Sequence, residues 1–199
     1  TDALGLITEM AYDPATGNLT SVVADMGAAP HFNATSRFTY TGRGQVLTAT
    51  DPLGTVTQYS YDPRGNVIQL TRDYGRLNQI TRMVYSDQGD VLAVTDPNGN
   101  LTRNTYDLNR RLITSTSPRT PAAPGGLVTL FTYDPDGKVI QSARLAGDLG
   151  VATGSTYTLT GKLATATDAN RNVTRYAYDV VDRLSSVTDP LGRVTSYEY

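Results

Sequence analysis

The sequence of 199 residues contains no cysteine and no tryptophan, and its only histidine is His31. Without cysteine, the fold cannot depend on disulfide bonds, and thiolate metal ligands and thiol nucleophiles are excluded. The histidine lies in the run Pro30-His31-Phe32-Asn33, where no serine nucleophile stands in a recognisable motif. We interpret His31 as a surface loop residue and expect no Ser-His-Asp arrangement, no catalytic residues and no cofactor.

An excess of charge and long apolar runs are also missing. The net charge is −2, with 17 basic and 19 acidic residues, so no nucleic-acid footprint is present. No stretch approaches the roughly 18 apolar residues of a membrane span. Thr1 to Ala11 lack the basic start and apolar core of a signal peptide. We therefore expect no nucleic-acid partner and no membrane span, and the signal of an exported parent protein would lie outside this sequence.

Tyrosine is abundant, with 13 copies, and nine of them divide nearly the whole chain into similar units. Their separations are 28, 21, 24, 21, 27, 24, 21 and 21 residues. These anchoring tyrosines are Tyr12, Tyr40, Tyr61, Tyr85, Tyr106, Tyr133, Tyr157, Tyr178 and Tyr199. Such a short recurring period indicates a repeat array, and no linker divides it. We predict a single array over residues 1–199, with about eight units of 21–28 residues.

Turn signals occur twice in each unit, because an acceptor side chain, a proline and a glycine follow one another at the spacing of a β-turn. Directly after the anchors stand Asp62-Pro63-Arg64-Gly65 and Asp134-Pro135-Asp136-Gly137. Eleven residues after an anchor stand Asp51-Pro52-Leu53-Gly54, Asp96-Pro97-Asn98-Gly99 and Asp189-Pro190-Leu191-Gly192, with weaker copies at Asp168-Ala169-Asn170 and Ser117-Pro118. We assign these aspartates to turns; calcium binding is the alternative, although no distal glutamate completes a calcium loop. No metal site is predicted.

The residues between the turns favour strands. Val46–Thr50, Val67–Thr71 and Val91–Thr95 are short and rich in Val, Ile, Leu and Thr, and no segment has the pattern of an amphipathic helix. Two and four residues before the anchors, large side chains and Thr or Ser share the tyrosines' face. On the opposite face, three residues before the anchor, stand Arg37, Arg82, Arg103 and Arg175. This second face is predicted to be the more solvated one.

The pattern as a whole predicts an all-β fold, in which repeated β-hairpins form an antiparallel meander of about sixteen strands. Open twisted sheets rarely exceed about ten strands without curling, so we expect a curved or spiralling ribbon. Where a unit exceeds 21 residues, the extra length falls almost entirely at its second turn: Asp25 to Ala34, Arg72 to Asn78, Ser117 to Gly126 and Arg144 to Gly154. Alternate turns of a meander project from opposite edges, so these long loops should share one edge.

The run Tyr61-Asp62-Pro63-Arg64-Gly65-Asn66-Val67 and the run from Thr188 to Tyr199 resemble the YD repeat of the Rhs (rearrangement hotspot) proteins. The same repeat is found in the shell components of insecticidal toxin complexes, in bacterial wall-associated polymorphic toxins and in teneurins. The resemblance covers residues 7–199. It implies a ribbon that spirals into a hollow shell, often enclosing a toxic C-terminal domain. The core segment with self-cleaving aspartates is missing, so we expect a fragment of a larger, secreted or surface-exposed bacterial protein.

Two functions are compatible with this resemblance. The first is a non-catalytic part of a YD-repeat shell that encapsulates or scaffolds a toxin or effector domain; its partners would be the remaining repeats and that C-terminal domain. The second is a cell-surface module that recognises carbohydrate or protein through its long loops or its aromatic stripe. The tyrosines could either pack neighbouring strands together or stack on a ligand. The arginines could either be solvated or contact an anionic partner. No residue constellation predicts an enzyme.

Overall fold

The computed structural model describes residues 7–27, 31–121, 123–146 and 149–199, and the chain divides into two compact units, Thr1–Gly99 and Asn100–Tyr199. Every regular element in the described ranges is a β-strand. These ranges contain no helix that is long and apolar enough to cross a membrane.

The first unit is a run of eight short strands, each ended by a turn. They are β1 (Glu9–Tyr12), β2 (Leu19–Ala24), β3 (Ala34–Tyr40), β4 (Val46–Thr50), β5 (Val56–Tyr61), β6 (Val67–Arg72), β7 (Gln79–Tyr85) and β8 (Val91–Thr95). Each strand pairs with the next in antiparallel order. The strands predicted at Val46–Thr50 and Val91–Thr95 have those bounds, and the third extends one residue to Arg72.

The second unit repeats this arrangement with nine strands. They are β9 (Leu101–Tyr106), β10 (Leu112–Thr116), β11 (Val128–Tyr133), β12 (Val139–Ala146), β13 (Leu149–Tyr157), β14 (Leu163–Thr167), β15 (Val173–Tyr178), β16 (Leu184–Thr188) and β17 (Val194–Ser196). Again each strand pairs with the next in antiparallel order. The predicted all-β meander of hairpins is therefore confirmed.

The turn after each anchor follows from local hydrogen bonding, as the Asp62–Asn66 turn illustrates. The Asp62 carboxylate accepts the N–H groups of Arg64 and Asn66, each at 2.9 Å. Gly65 has a φ of 94°, in the left-handed region that glycine enters without steric cost. A left-handed residue at this point ends the turn and produces a bulge. The strand register accordingly shifts between Ser60 and Tyr61.

Glycine is not obligatory at that left-handed position. Arg110, Arg171 and Asp182 occupy it in their turns, with φ values of 63°, 66° and 63°. Each donates its N–H to the carbonyl of the aspartate that begins the turn, at 2.9 to 3.0 Å. The turn hydrogen bonds hold these residues in a conformation that costs a non-glycine residue free energy.

Each unit is a single layer of strands without a hydrophobic core of its own. Among the described residues no apolar side chain is buried; only Thr71, at 4% exposure, and Gly126, which has no side chain, are buried. An antiparallel sheet usually covers one face with other elements. Here the strands gain stability from their neighbours along the chain, as in other repeat arrays.

One loop prediction is wrong. The segment from Arg144 to Gly154 was expected to form a long loop, but β12 continues to Ala146 and β13 begins at Leu149. The extra residues therefore lengthen a hairpin, with pairs such as Arg144 with Val151. Antiparallel pairing satisfies the backbone groups that a loop would leave to water. Part of the long-loop prediction at Asp25 to Ala34 lies outside the described residues.

Candidate functional surface: the tyrosine stripe and its turn edges

The anchoring tyrosines form a stripe, and seven of the nine donate their hydroxyl back to the preceding hairpin. The Tyr61 hydroxyl donates to the Val46 carbonyl at 2.7 Å, and the Tyr178 hydroxyl donates to the Leu163 carbonyl at 3.0 Å. The same bond joins Tyr40 to Leu19, Tyr85 to Val67, Tyr133 to Leu112, Tyr157 to Val139 and Tyr199 to Leu184, at 2.7 to 3.1 Å. The acceptor is always the first residue of an even-numbered strand.

These hydroxyls continue the connection between hairpins where the backbone ladder stops. The β4–β5 ladder begins at Thr48 paired with Gln58, two residues after β4 starts at Val46. The Tyr61 side chain spans this gap and provides a donor for the Val46 carbonyl. Burial raises the pKa of the Tyr61 hydroxyl, and the nearby Tyr59 adds to this shift. A hydrogen bond of this kind stabilises a fold by about 0.5–1.5 kcal/mol.

Cations from the neighbouring turns cover three of the anchor rings. The guanidinium carbon of Arg111 lies 4.8 Å from the centroid of the Tyr133 ring, and that of Arg183 lies 4.7 Å from Tyr199. The Lys138 ammonium lies 5.2 Å from the Tyr157 ring. Each cation is the last residue of the turn after one anchor and contacts the next anchor, which adds an attraction between successive hairpins.

The first-turn edge of each unit carries the turns that follow the anchors: 13–18, 41–45, 62–66 and 86–90, then 107–111, 134–138, 158–162 and 179–183. Neighbouring turns contact one another along it. Arg43 donates to the Pro63 carbonyl at 3.2 Å, and Arg111 donates to the Asp134 carbonyl at 3.1 Å. The edge is therefore tied together by turn-to-turn bonds in addition to the tyrosines.

The second-turn edge, on the opposite side of each unit, carries the turns 25–33, 51–55, 73–78 and 96–99, then 117–127, 168–172 and 189–193. The turns 51–55, 168–172 and 189–193 have the same five-residue geometry as the first turns. The loops 25–33 and 73–78 are longer and share the edge of the first unit, as expected from the meander.

His31 lies between β2 and β3, on that edge. Its Nδ1 atom is 2.5 Å from the Asp25 Oδ1 atom, and the other carboxylate oxygen of Asp25 accepts the Phe32 N–H at 3.0 Å. The hydrogen bond from His31, followed by that from Phe32, lowers the pKa of Asp25. The pair organises a loop, and no serine or cysteine side chain is hydrogen-bonded to His31 in the described ranges.

The turn aspartates use their carboxylates on the backbone. Asp51 and Asp189 each accept two N–H groups at 2.8 to 3.0 Å, as Asp62 does. The side-chain bond from Asn66 is the main cause that lowers the pKa of Asp62, and the Arg111 N–H is the main cause for Asp107. The described residues contain no cluster of three or more His, Cys, Asp or Glu that could hold a metal ion.

The arginine face is the face opposite the tyrosines, on which Arg37, Arg82, Arg103 and Arg175 are all exposed. Hydroxyl pairs alternate with them: the Thr39 and Thr48 oxygens share a hydrogen bond at 2.6 Å, and so do those of Thr156 and Thr165 at 2.7 Å. Glu9 is the only acidic residue within a strand among the described residues. Negative charge lies at the edges, whereas the strands present positive charge.

Sequence reasoning placed the anchors on one face but missed the destination of their hydroxyls. The acceptor lies 15 to 21 residues earlier in the chain, and its residue type is irrelevant because a carbonyl accepts the bond. One signal was available: each acceptor is an apolar residue that begins an even-numbered strand, immediately after a turn. The cations at the last turn position were present in the sequence but have no fixed identity there.

Comparison with known proteins gives one family. A family model described as Teneurin YD-shell matches residues 5–199. No curated protein matches the chain at a significant level.

Among solved structures, the Tc holotoxin pore of Photorhabdus luminescens aligns with 95% of this chain at a TM-score of 0.75 and 20% sequence identity, which shows that the fold is shared. The crystal structures of TcdB2-TccC3-TEV and TcdB2-TccC3 align with 95% and 96% of this chain at TM-scores of 0.45 and 0.36, with 14% and 16% identity. This chain spans 11%, 14% and 16% of those three chains.

Proposed function

The chain belongs to the Teneurin YD-shell family, and we propose that its hairpins form part of the wall of a shell that encapsulates or scaffolds a toxin or effector polypeptide. The resemblance to the YD repeat is thereby confirmed, and with it the character of the chain as a structural shell segment. Catalysis is not part of the proposal, because the aspartates and tyrosines that recur in the repeats make their hydrogen bonds within turns and between hairpins.

The single observation that carries this proposal is the way a one-layer sheet is held together. No apolar residue is buried among those described, yet successive hairpins are joined by hydroxyl bonds of 2.7 to 3.1 Å. A shell wall needs this property, since both of its faces are uncovered and the stabilising hydrogen bonds lie between neighbouring hairpins of the sheet. A binding module on a compact core would instead bury an apolar layer beneath its recognition loops.

The proposed parent is a longer protein in which residues 1–199 form one uninterrupted array. Support comes from the solved chain that shares the fold, of which this sequence spans 11%. The proposed partners are the other repeats of the parent and the polypeptide inside the shell. We further propose that the parent is secreted or exposed at the cell surface, where such a container could deliver its contents.

The contacts of the anchor tyrosines do not favour carbohydrate recognition. Sugar-binding tyrosines present a ring face and a hydroxyl to the ligand. Here the hydroxyls of seven anchors are donated to backbone carbonyls, and cations cover three of the rings. The stripe is therefore better suited to holding hairpins together than to holding a glycan.

Electron cryo-microscopy of the full parent protein tests the proposal. We expect density for a separate polypeptide enclosed by the wall and in contact with these strands. Protection of that polypeptide from added protease, lost when the shell is opened by denaturant, would be the matching result in solution. A ribbon that is open to solvent and contains no enclosed chain would contradict encapsulation.

A further inference from the structure

A strand glycine on the arginine face lies at a position where the other repeats carry side chains. Gly154 stands three residues before Tyr157, the position held by Arg37, Gln58, Arg82 and Leu130 in other repeats. It pairs with Gln141 on β12 and Thr167 on β14. Glycine weakens a strand interior and often marks a place where a ligand or another backbone approaches closely.

The backbone itself does not require glycine here. Its φ lies outside the left-handed region, and an added Cβ would meet the Ile140 carbonyl oxygen at 3.6 Å and the Thr167 Cβ at 3.8 Å. Both are ordinary van der Waals distances. The space that a side chain would occupy at this position therefore accepts a Cβ atom without displacing a neighbouring atom.

That space is part of a hollow of about 510 Å³ beside the β14–β15 turn. Its lining includes Gln141, Gly154, Thr167 and Arg171, which supply an amide, a hydroxyl and a guanidinium. These groups can all donate hydrogen bonds, and a guanidinium fits a carboxylate through two parallel bonds.

Arg171 has no acidic partner among the described residues, although Asp168 begins the same turn. The Asp168 carboxylate instead accepts the backbone N–H groups of Asn170 and Asn172 at 2.8 and 2.9 Å, and the Asn172 side chain at 2.9 Å. These bonds lower the pKa of Asp168, led by the Asn172 side chain. The turn thus keeps its own acid occupied and leaves the arginine available.

We propose that the Gly154 notch, lined by Gln141, Gly154, Thr167 and Arg171, binds a carboxylate side chain of an acidic segment in the polypeptide that the shell encloses. Charge complementarity identifies this occupant, since the strands of this face carry Arg103 and Arg175 in the same unit and no acidic residue. The inference rests on the proposed shell function for the source of the polypeptide. It adds that the arginine face is the one that meets the contents.

Photo-crosslinking in the intact parent protein tests this inference. A benzoylphenylalanine replaces Gln141 in one variant and Ser142 in another, because adjacent residues of β12 sample opposite faces of the sheet. We expect the probe at position 141 to capture a peptide from outside the array that contains Asp or Glu, and the probe at position 142 to capture far less of it. Arg171→Asn, which tolerates a left-handed φ, should lower the yield about tenfold, as loss of one charge-assisted bond does.

Gly154→Gln fills the notch with a side chain that another repeat carries at the same position, as Gln58. It should lower the crosslinking yield similarly and leave the unfolding midpoint near the wild-type value. Arg110→Asn, at the equivalent left-handed position of a first turn, is the control and should leave the yield unchanged. If only the probe at position 142 captures a peptide, the notch is not the binding site, although enclosure is supported. If neither probe captures a peptide, or if Arg171→Asn and Gly154→Gln leave the yield unchanged, the inference is wrong.

Discussion

Within each unit, the first-turn edge and the second-turn edge use the same hydrogen-bonded turns, but the turn length varies much more at the second. At the first-turn edge, seven of the eight turns have five residues, and only the turn at 13–18 has one more. At the second-turn edge, five-residue turns such as 51–55 stand beside loops such as 25–33 and 117–127. The tyrosine hydroxyls and the cation–ring contacts all lie towards the first-turn edge. The strand register is therefore fixed at the first-turn edge, whereas the loop length can vary at the second-turn edge.

The largest expected effect comes from the left-handed turn position of the first-turn edge. Gly65→Val places a β-branched residue at a φ of 94° and brings a Cβ to 3.1 Å from the Gln45 side-chain nitrogen. We expect a loss of about 1–2 kcal/mol in the free energy of unfolding, measured by urea denaturation. Gly42→Val is the control on the same edge, because its φ is not left-handed and nothing lies within 4 Å of an added Cβ. Equal midpoints for the two variants would contradict this turn assignment.

A somewhat smaller effect is expected from the hydroxyl connection between hairpins. Tyr61→Phe removes the bond to the Val46 carbonyl and should cost about 0.5–1.5 kcal/mol in the free energy of unfolding. Tyr59→Phe is its matched control on the same strand, since the Tyr59 hydroxyl has no hydrogen-bond partner among the described residues. The connection has no energetic role if both substitutions leave the urea midpoint unchanged.

Acid should weaken the turns of both edges. Hydrogen bonds lower the pKa of Asp62, Asp107 and Asp189 below the reference value of 3.8. A carboxylate with a lowered folded-state pKa stabilises the fold above the unfolded value, and this contribution is lost as the pH falls through the folded value. The urea concentration at the unfolding midpoint should therefore decrease when the pH is lowered past 3.8, the reference pKa of these groups.

Substitution identifies the groups responsible for that acid sensitivity. Asp62→Asn should show a shallower fall of the urea midpoint below pH 3.8 than the wild type, since one titrating turn carboxylate is gone. Asp136→Asn is the control, because its carboxylate accepts no hydrogen bond from another described residue. The effect is expected to be modest, as these carboxylates are exposed and solvent screens them. Identical pH profiles for all three proteins would refute the assignment.

The smallest effect is expected at a tip of the variable edge. Leu53 is 92% exposed in the 51–55 turn, and its backbone N–H rather than its side chain makes the turn bond to Asp51. Leu53→Ser should change the free energy of unfolding by less than about 0.5 kcal/mol. A loss above about 1 kcal/mol would mean that the side chain packs against another part of the parent, which would sharpen the contrast between the edges.

Much of the fold could be predicted because its signals are local. The turn residues that bond one another lie within four or five positions in the sequence, as Asp62 and Asn66 do. Strand bounds followed from the alternation between such turns. The segment 144–154 escaped prediction because its residues can form a loop or a longer hairpin, and the choice depends on pairing between β12 and β13.

The sequence by itself determined the repeat, the strand order, the face of the anchors and the family resemblance, since all of these depend on side-chain types at short spacing. The tertiary structure decided where the Tyr61 hydroxyl donates, which turn arginines cover rings and that Gly154 opens a hollow beside Arg171. These features join residues 15 or more positions apart, such as Tyr61 and Val46. Only the twist and register of neighbouring strands bring such groups together, and a bond to a backbone carbonyl does not depend on the residue type of its acceptor.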